Sequence, residues 1–223
     1  MEKKFEFNKE NVVLKILNKQ QKKRVTKDHV TCKLMDLTIG YYYLVAHKDH
    51  YTVTHPFTYE MFKKSGLTKK QLHELALKNA NACSPVKMKT MDEILEEYRE
   101  MIQEFGIPFT HHRMLSNDEH VMVYNDNGTG AIAMLYEEIL EEIGRILGGD
   151  FVIIPSSDQE LIAIAKDSKN VGTWAWSVKT THECQLDEDI RLSDSIYFYD
   201  VTTKNFFYMD IGYYIDKFCC EES

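Results

Sequence analysis

The sequence predicts an α+β fold: mainly antiparallel sheet built of hairpins, with helices packed on one face. Three observations lead there. Short runs rich in β-branched and aromatic residues come in pairs joined by turns: 36–46 (DLTIGYYYLVA) with 51–55 (YTVTH), 151–154 with 160–165, and 195–201 (SIYFYDV) with 206–209. Three runs of helical period stand apart from these pairs, each opened by a capping signature or closed by glycine. The 43% of hydrophobic residues and the scarcity of Gly and Pro (10 and 4) suit a packed core rather than a low-complexity chain.

Taken in order, residues 11–17 (NVVLKIL) read as a strand and the charged stretch 19–28 as a loop or frayed helix. The hairpin at 36–55 turns at His47-Lys48-Asp49. Thr68 and Gln71 form a capping box that opens a helix to about Asn79, with Leu72, Leu75 and Ala76 on its apolar face. Pro85 breaks the chain, and 84–90 is the candidate boundary between an amino-terminal region, 1–84, and a carboxy-terminal one, 85–223, which are alternatively one continuous domain. Thr90 and Glu93 form a second capping box, and apolar residues from Met91 to Phe105 keep helical spacing until Gly106 and Pro108. A strand at 120–125 and a turn at 126–128 lead into a long helix through Leu147, ended by Gly148-Gly149. Leu135, Ile139, Ile143 and Ile146 on that helix are expected to pack against Val152, Ile154, Leu161 and Ile164 of the two strands that follow. Residues 174–184 read as a helix, and a final hairpin turns at 202–205.

Composition narrows the function classes. The chain has 223 residues and a formal net charge of −8, and no apolar run is long enough for a membrane helix. The first residues lack the apolar segment of a signal peptide, so a soluble, cytoplasmic protein with no membrane association is expected. Five cysteines at irregular spacing, with no Cys-x-x-Cys pair, argue against a disulfide framework or a zinc ribbon; Cys219-Cys220 reads as two reduced tail thiols or as a redox pair. Residues 1–27 hold nine Lys/Arg against three Glu, while 182–223 hold ten Asp/Glu against three Lys/Arg. The basic cluster Lys22-Lys23-Arg24 is too narrow for a duplex-binding face, so direct nucleic-acid binding is not expected. The acidic carboxy-terminal third suits a basic protein partner, such as the nucleic-acid channel of another protein.

No catalytic signature emerges. His47, His50 and His55, then His111, His112 and His120, then His182 and Cys184 lack convergent metal-ligand spacing, so neither a metal nor a cofactor is predicted. Ser156 and Ser157 read as turn residues without a nucleophile elbow. Asp126-Asn127-Gly128-Thr129-Gly130 reads as a turn and helix cap more simply than as an anion cradle. Glu137, Glu138, Glu141 and Glu142 read as a solvated face.

Several segments resemble known sequences. DLTIGYYYLV at 36–45, LTKKQLHELALKNA at 67–80, AIAMLYEEILEEIGRILGGDFVIIPSSDQELIAI at 131–164 and LSDSIYFYD at 192–200 together resemble an uncharacterised domain-of-unknown-function family of Clostridia and related Firmicutes. The first two are also similar to a second uncharacterised family of Bacillus type. The resemblance spans about residues 11–201, and the tail after Asn205 lies beyond it. It implies a bacterial or phage protein, of a kind common in mobile elements, and it implies no activity and no catalytic residue.

The aromatic content is the remaining signal. Tyr41, Tyr42 and Tyr43 put large rings on both faces of one strand, and Phe206, Phe207, Tyr208, Tyr213, Tyr214 and Phe218 crowd the tail. In Ser195–Tyr199, Ile196 and Phe198 alternate with Tyr197 and Tyr199, so a core face of Ile and Phe would leave both tyrosines outside. The expectation is a non-enzymatic macromolecule-binding protein whose partner surface includes Tyr197, Tyr199, Asp200, Asp210, Tyr213 and Tyr214. An antagonist of bacterial defence, for instance an inhibitor of a CRISPR nuclease, is the concrete form. An enzyme with a scattered, metal-dependent site and a homodimeric structural or toxin-neutralising module are the alternatives.

Overall fold

The computed structural model describes residues 7–48, 51–104, 120–184 and 187–219. Its strands form two antiparallel sheets, with helices around them: the α+β class that the sequence predicts. The first sheet holds β1 (Val12–Leu17), β2 (Thr31–Leu34), β3 (Leu37–Lys48) and β4 (Tyr51–Pro56), in the order β1-β3-β2 with β4 also on β3. Between its strands lies the short helix α1 (Lys19–Lys23), and α2 (Tyr59–Ser65) and α3 (Lys69–Cys83) follow it. The Thr68–Gln71 capping box opens α3, whose Leu72 and Ala76 bury against Val12, Leu14, Tyr41, Tyr43 and Phe57. Tyr41 and Tyr43 are thus core residues, and the Tyr41 hydroxyl pairs with His73 Nδ1 at 2.9 Å.

The second sheet has the order β10-β9-β7-β8-β6-β5. Its members are β5 (Lys87–Thr90), β6 (His120–Tyr124), β7 (Phe151–Ile154), β8 (Glu160–Ala165), β9 (Ser195–Asp200) and β10 (Asn205–Asp210). The helices are α4 (Met91–Glu104), α5 (Glu137–Leu147), α6 (Val171–Cys184) and α7 (Ile211–Phe218). Thr90 and Glu93 cap α4 reciprocally, at 2.7 and 3.3 Å. The predicted end of that helix, at Phe105, Gly106 and Pro108, lies outside the described residues, as do His50, His111 and His112.

Helices cover both faces of this larger sheet, rather than one. Phe151, Ile153, Leu161 and Ala163 face α5, while Val152, Ile154, Ile162 and Ile164 face α6 and α7. The expected packing of the long helix is corrected accordingly. Ile143 lies fully buried in the α5 core with Leu161, but Val152, Ile154 and Ile164 point to the opposite side. The predicted helix is also broken. Gly130–Leu135 form a 3₁₀ segment, Tyr136 is extended, and only then does α5 begin. The cause is local: Gly130 and Ala131 donate to the carbonyls of Gln159 and Asp158, and a Cβ at Gly130 would stand 2.2 Å from Gln159 O. The segment is pinned to the β7–β8 turn and cannot join the α5 axis. It fills the gap between the sheets, with Ile132 and Tyr136 in the first core and Ala131, Ala133 and Met134 in the second.

A polar junction ties the sheets together. Met35 and Asp36 form the tight β2–β3 turn, with Met35 at φ 53°, unfavourable for a non-glycine residue. The Asp36 carboxylate accepts hydrogen bonds from Ser193 Oγ (2.5 Å), Ser195 Oγ (3.1 Å) and Tyr197 Oη (2.8 Å). Close by, the Asn18 side chain caps α1 and donates to the carbonyls of Glu188, Asp189 and Arg191.

Two stability outcomes follow. Asp36→Ala strands three hydroxyls at once, and its expected cost is about 2–4 kcal/mol by urea unfolding; a loss under ~0.5 kcal/mol would refute the role of the junction. Ile143→Ala is expected to cost about 2–5 kcal/mol, and to be coupled in a double-mutant cycle to Leu161→Ala but not to Val152→Ala.

Candidate functional site

Six residues were expected to share a partner surface, and the structure divides them. Tyr197 and Tyr199 are 0% and 2% exposed and cannot touch a partner in this fold. Their assignment as surface anchors is corrected. The alternation along β9 is as expected, but both of its faces are covered. Ile196 packs towards α6 and α7, and the two tyrosines pack into the α5 side. Burial holds the Tyr197 hydroxyl strongly in its neutral form, and the Asp36 charge adds to the effect.

The other four lie on the outer β9–β10 hairpin and on α7. Asp200 Oδ1 accepts from Thr202 N (2.9 Å) and Thr203 N (2.7 Å) and so shapes the β9–β10 turn. Asp210 caps α7 by accepting from Tyr213 N at 3.0 Å. Tyr213 is exposed, and Tyr214 is half-buried between Phe198 and Phe218, with ring centroids 6.0 and 5.3 Å away. Phe207, Tyr208 and Phe218, absent from the expected set, are exposed here as well. Phe207 is 62% and Tyr213 54% exposed. Among the described strands β10 pairs only with β9, so the outer side of the Asn-Phe-Phe-Tyr-Met-Asp strand is an open edge. The signal for these residues was the tail's aromatic density; which rings face outward depends on the path of α7.

The remaining candidates resolve locally. Ser157 Oγ accepts from Gln159 N, and Ser156 Oγ donates to Glu160 (3.0 Å). In the 126–130 turn, the Asn125 side chain accepts from Thr129 N at 2.8 Å, while Gly130 N is spent on Gln159 O. Glu137 and Glu141 both accept from Lys204, and Arg24 pairs with Asp189. His47 bonds Thr52, and among the described residues no three His, Cys, Asp or Glu side chains are grouped to hold a metal. Cys219 is exposed just past the end of α7, and Cys220 lies outside the described residues. No helix among the described residues is long and apolar enough to cross a membrane.

Two cavities bring together polar side chains that stand far apart in the sequence. One, of about 440 Å³, opens between the sheets, with Lys15 and Asp158 in its wall. The other, of about 270 Å³, lies under α6 and is lined by His120, Trp174 and His182. His182 Nε2 donates to the Ser156 carbonyl at 2.8 Å, and its buried Nδ1 has no hydrogen-bond partner among the described residues. Burial holds the His182 and His73 pKa values below the usual imidazole value of 6.5. Both bind protons more readily once unfolded, so stability is full above that value and falls as pH drops through it. Urea unfolding is expected to give lower stability at about pH 5.5 than at about pH 7.5, with a smaller difference in His182→Gln. Equal slopes in wild type and variant would contradict this.

No curated protein and no solved structure matches the chain. A family model matches residues 1–201, nearly all of both sheets, and stops before β10 and α7. The chain therefore belongs to DUF5688, a family of unknown function.

Proposed function

We propose that the protein acts without catalysis, by binding another protein along the β10–α7 edge. One observation carries this reading: Phe207, Tyr208, Tyr213 and Phe218 are large aromatic side chains held exposed on two consecutive elements. Exposed apolar surface of this kind is costly unless something covers it. Tyrosine and phenylalanine offer large contact area with few rotatable bonds to immobilise. The strand beside them has an open edge, without the lysine, proline or bulge that blunts such edges.

The partner chemistry that fits is an extended, basic segment that adds to β10. Its backbone would complete the ladder, its side chains would meet the aromatics, and its charge would answer Asp200, Asp210 and Asp216. A nuclease of a bacterial defence system, with a basic nucleic-acid channel, is the specific partner of that kind that we favour. The protein would then act as its antagonist in the cytoplasm. The competing occupant is a second copy of the chain, paired β10 to β10.

The test compares wild type with a Phe207→Ala, Tyr213→Ala, Phe218→Ala variant, which removes only exposed rings. Wild type is expected to retain a protein partner that the equally stable variant loses, with affinity reduced more than about tenfold. Retention is also expected to weaken as salt rises from about 0.1 to about 0.5 M. Equal recovery by both proteins would refute the reading. A wild-type dimer in light scattering that the variant abolishes would give the edge to self-association instead.

A further inference from the structure

The cleft between the two sheets has the makings of a ligand site, independent of the β10–α7 edge. Lys15 sits in β1 between the buried Leu14 and Ile16, paired across the strands with Gly40. A Cβ at Gly40 would come within 2.8 Å of Leu17 Cδ1 and 3.0 Å of the Tyr42 ring, so glycine keeps this floor low. The Lys15 ammonium lies 5.3 Å from the centroid of the Tyr42 ring and makes no hydrogen bond among the described residues. Across the cleft, Asp158 stands in the β7–β8 turn. Its Oδ2 accepts from Gln21 Nε2 at 2.9 Å, while its buried Oδ1 has no hydrogen-bond partner among the described residues.

Both charges are held at a disadvantage. Burial lowers the Lys15 pKa, and the Asp158 charge only partly offsets it. Burial raises the Asp158 pKa against the pull of its hydrogen bonds and of Lys15. Buried charges are ordinarily paired and fully hydrogen-bonded. Here an acceptor-seeking ammonium and a donor-seeking carboxylate oxygen line one cavity of about 440 Å³, the size range of small-molecule sites. Leu17, Val25 and Pro56 add apolar wall to it.

We propose that this cleft binds a small zwitterion, a free amino acid or a dipeptide, with its carboxylate against Lys15 and its ammonium against the Asp158 carboxylate. A ligand with both charges satisfies both groups and leaves the site's net charge unchanged. A simple anion would satisfy Lys15 and repel Asp158, and a simple cation would do the reverse.

The experiment measures Tm of the full chain with proteinogenic amino acids and with dialanine, each at about 10 mM, and with acetate, methylamine and inorganic phosphate as single-charge probes. At least one zwitterion is expected to raise Tm by about 2 °C or more. Lys15→Met and Asp158→Asn, if folded as judged by their own melting curves, are each expected to abolish the rise. Amide shifts in the wild type keep the test decisive if either variant fails to fold. The active zwitterion is expected to move the resonances of Gln21 and of Asn127–Thr129 at the cleft's rim. No stabilising zwitterion, an equal effect from acetate or phosphate, a rise that survives in a folded variant, or shifts confined elsewhere would each overturn the proposal.

Discussion

The Asp36 carboxylate accepts three hydroxyl hydrogen bonds where the two sheets meet, and it cannot shift without stranding all of them. Ser193, Ser195 and Tyr197 alternate along the chain, so their side chains leave on the same side and converge on one acceptor. That geometry sets the direction in which β9 presents its residues. It also holds the β2–β3 turn against the second sheet, with Met35 in a backbone conformation that needs outside support and its side chain packed on the core. The 3₁₀ segment then fills the space between the sheets, with Ile132 in the first core and Ala131, Ala133 and Met134 in the second. The cleft with Lys15 and Asp158 lies along the same junction, between β1 and the β7–β8 turn.

The surface of the protein follows from this. Once Tyr197 is committed to Asp36, β9 has one face in each core and contributes no exposed ring. Exposed rings cluster instead on β10, the next strand out, and on α7, with Tyr59 on α2 and Trp176 on α6 exposed elsewhere. β10 is half covered: Phe206 reaches Tyr199 and Met209 packs with the α6–α7 core, whereas Phe207 is largely exposed and Tyr208 is covered only in part, beside the Tyr197 ring at 6.2 Å. These elements follow the last residue matched to the family, whereas Asp36, Lys15 and Asp158 fall within the match. The junction and the cleft thus lie within the matched span, and the aromatic edge lies beyond it.

What was legible in the sequence is what local chemistry decides. The capping boxes at Thr68 and Thr90 form as read, because each needs only residues three apart. The hairpins at 36–55 and 195–209 were legible for the same reason. What was not legible depends on which face is covered. Phe151–Ile154 and Leu161–Ile164 are apolar at every position, so alternation carried no information about which residues meet α5. The break at Tyr136 is imposed by Gln159 and Asp158, which lie more than twenty residues away in sequence. Lys15 was visible as the one charge in an apolar strand, yet its meaning needs Asp158 across the cleft. Tyr197 was misread because serine and tyrosine on one strand face look like a wet surface unless the buried acceptor is known.

The acidic carboxy-terminal third is less free than its composition suggests, and this bears on how it meets a partner. Asp189 is paired with Arg24 and Asp194 with Arg191. Asp200 and Asp210 accept backbone N–H groups, so their carboxylates are fixed in place while keeping their charge. A fixed charge loses little side-chain entropy when a partner binds, unlike a carboxylate on a flexible stem. Asp200 ends β9 at the turn and Asp210 ends β10 at the opposite end, about 17 Å along the strand at ~3.4 Å per residue. A partner strand laid on this edge would meet a negative charge near each end and aromatic rings between them. Cations about five residues apart, flanking apolar side chains, match that spacing, which makes the edge selective for a pattern rather than for positive charge in general.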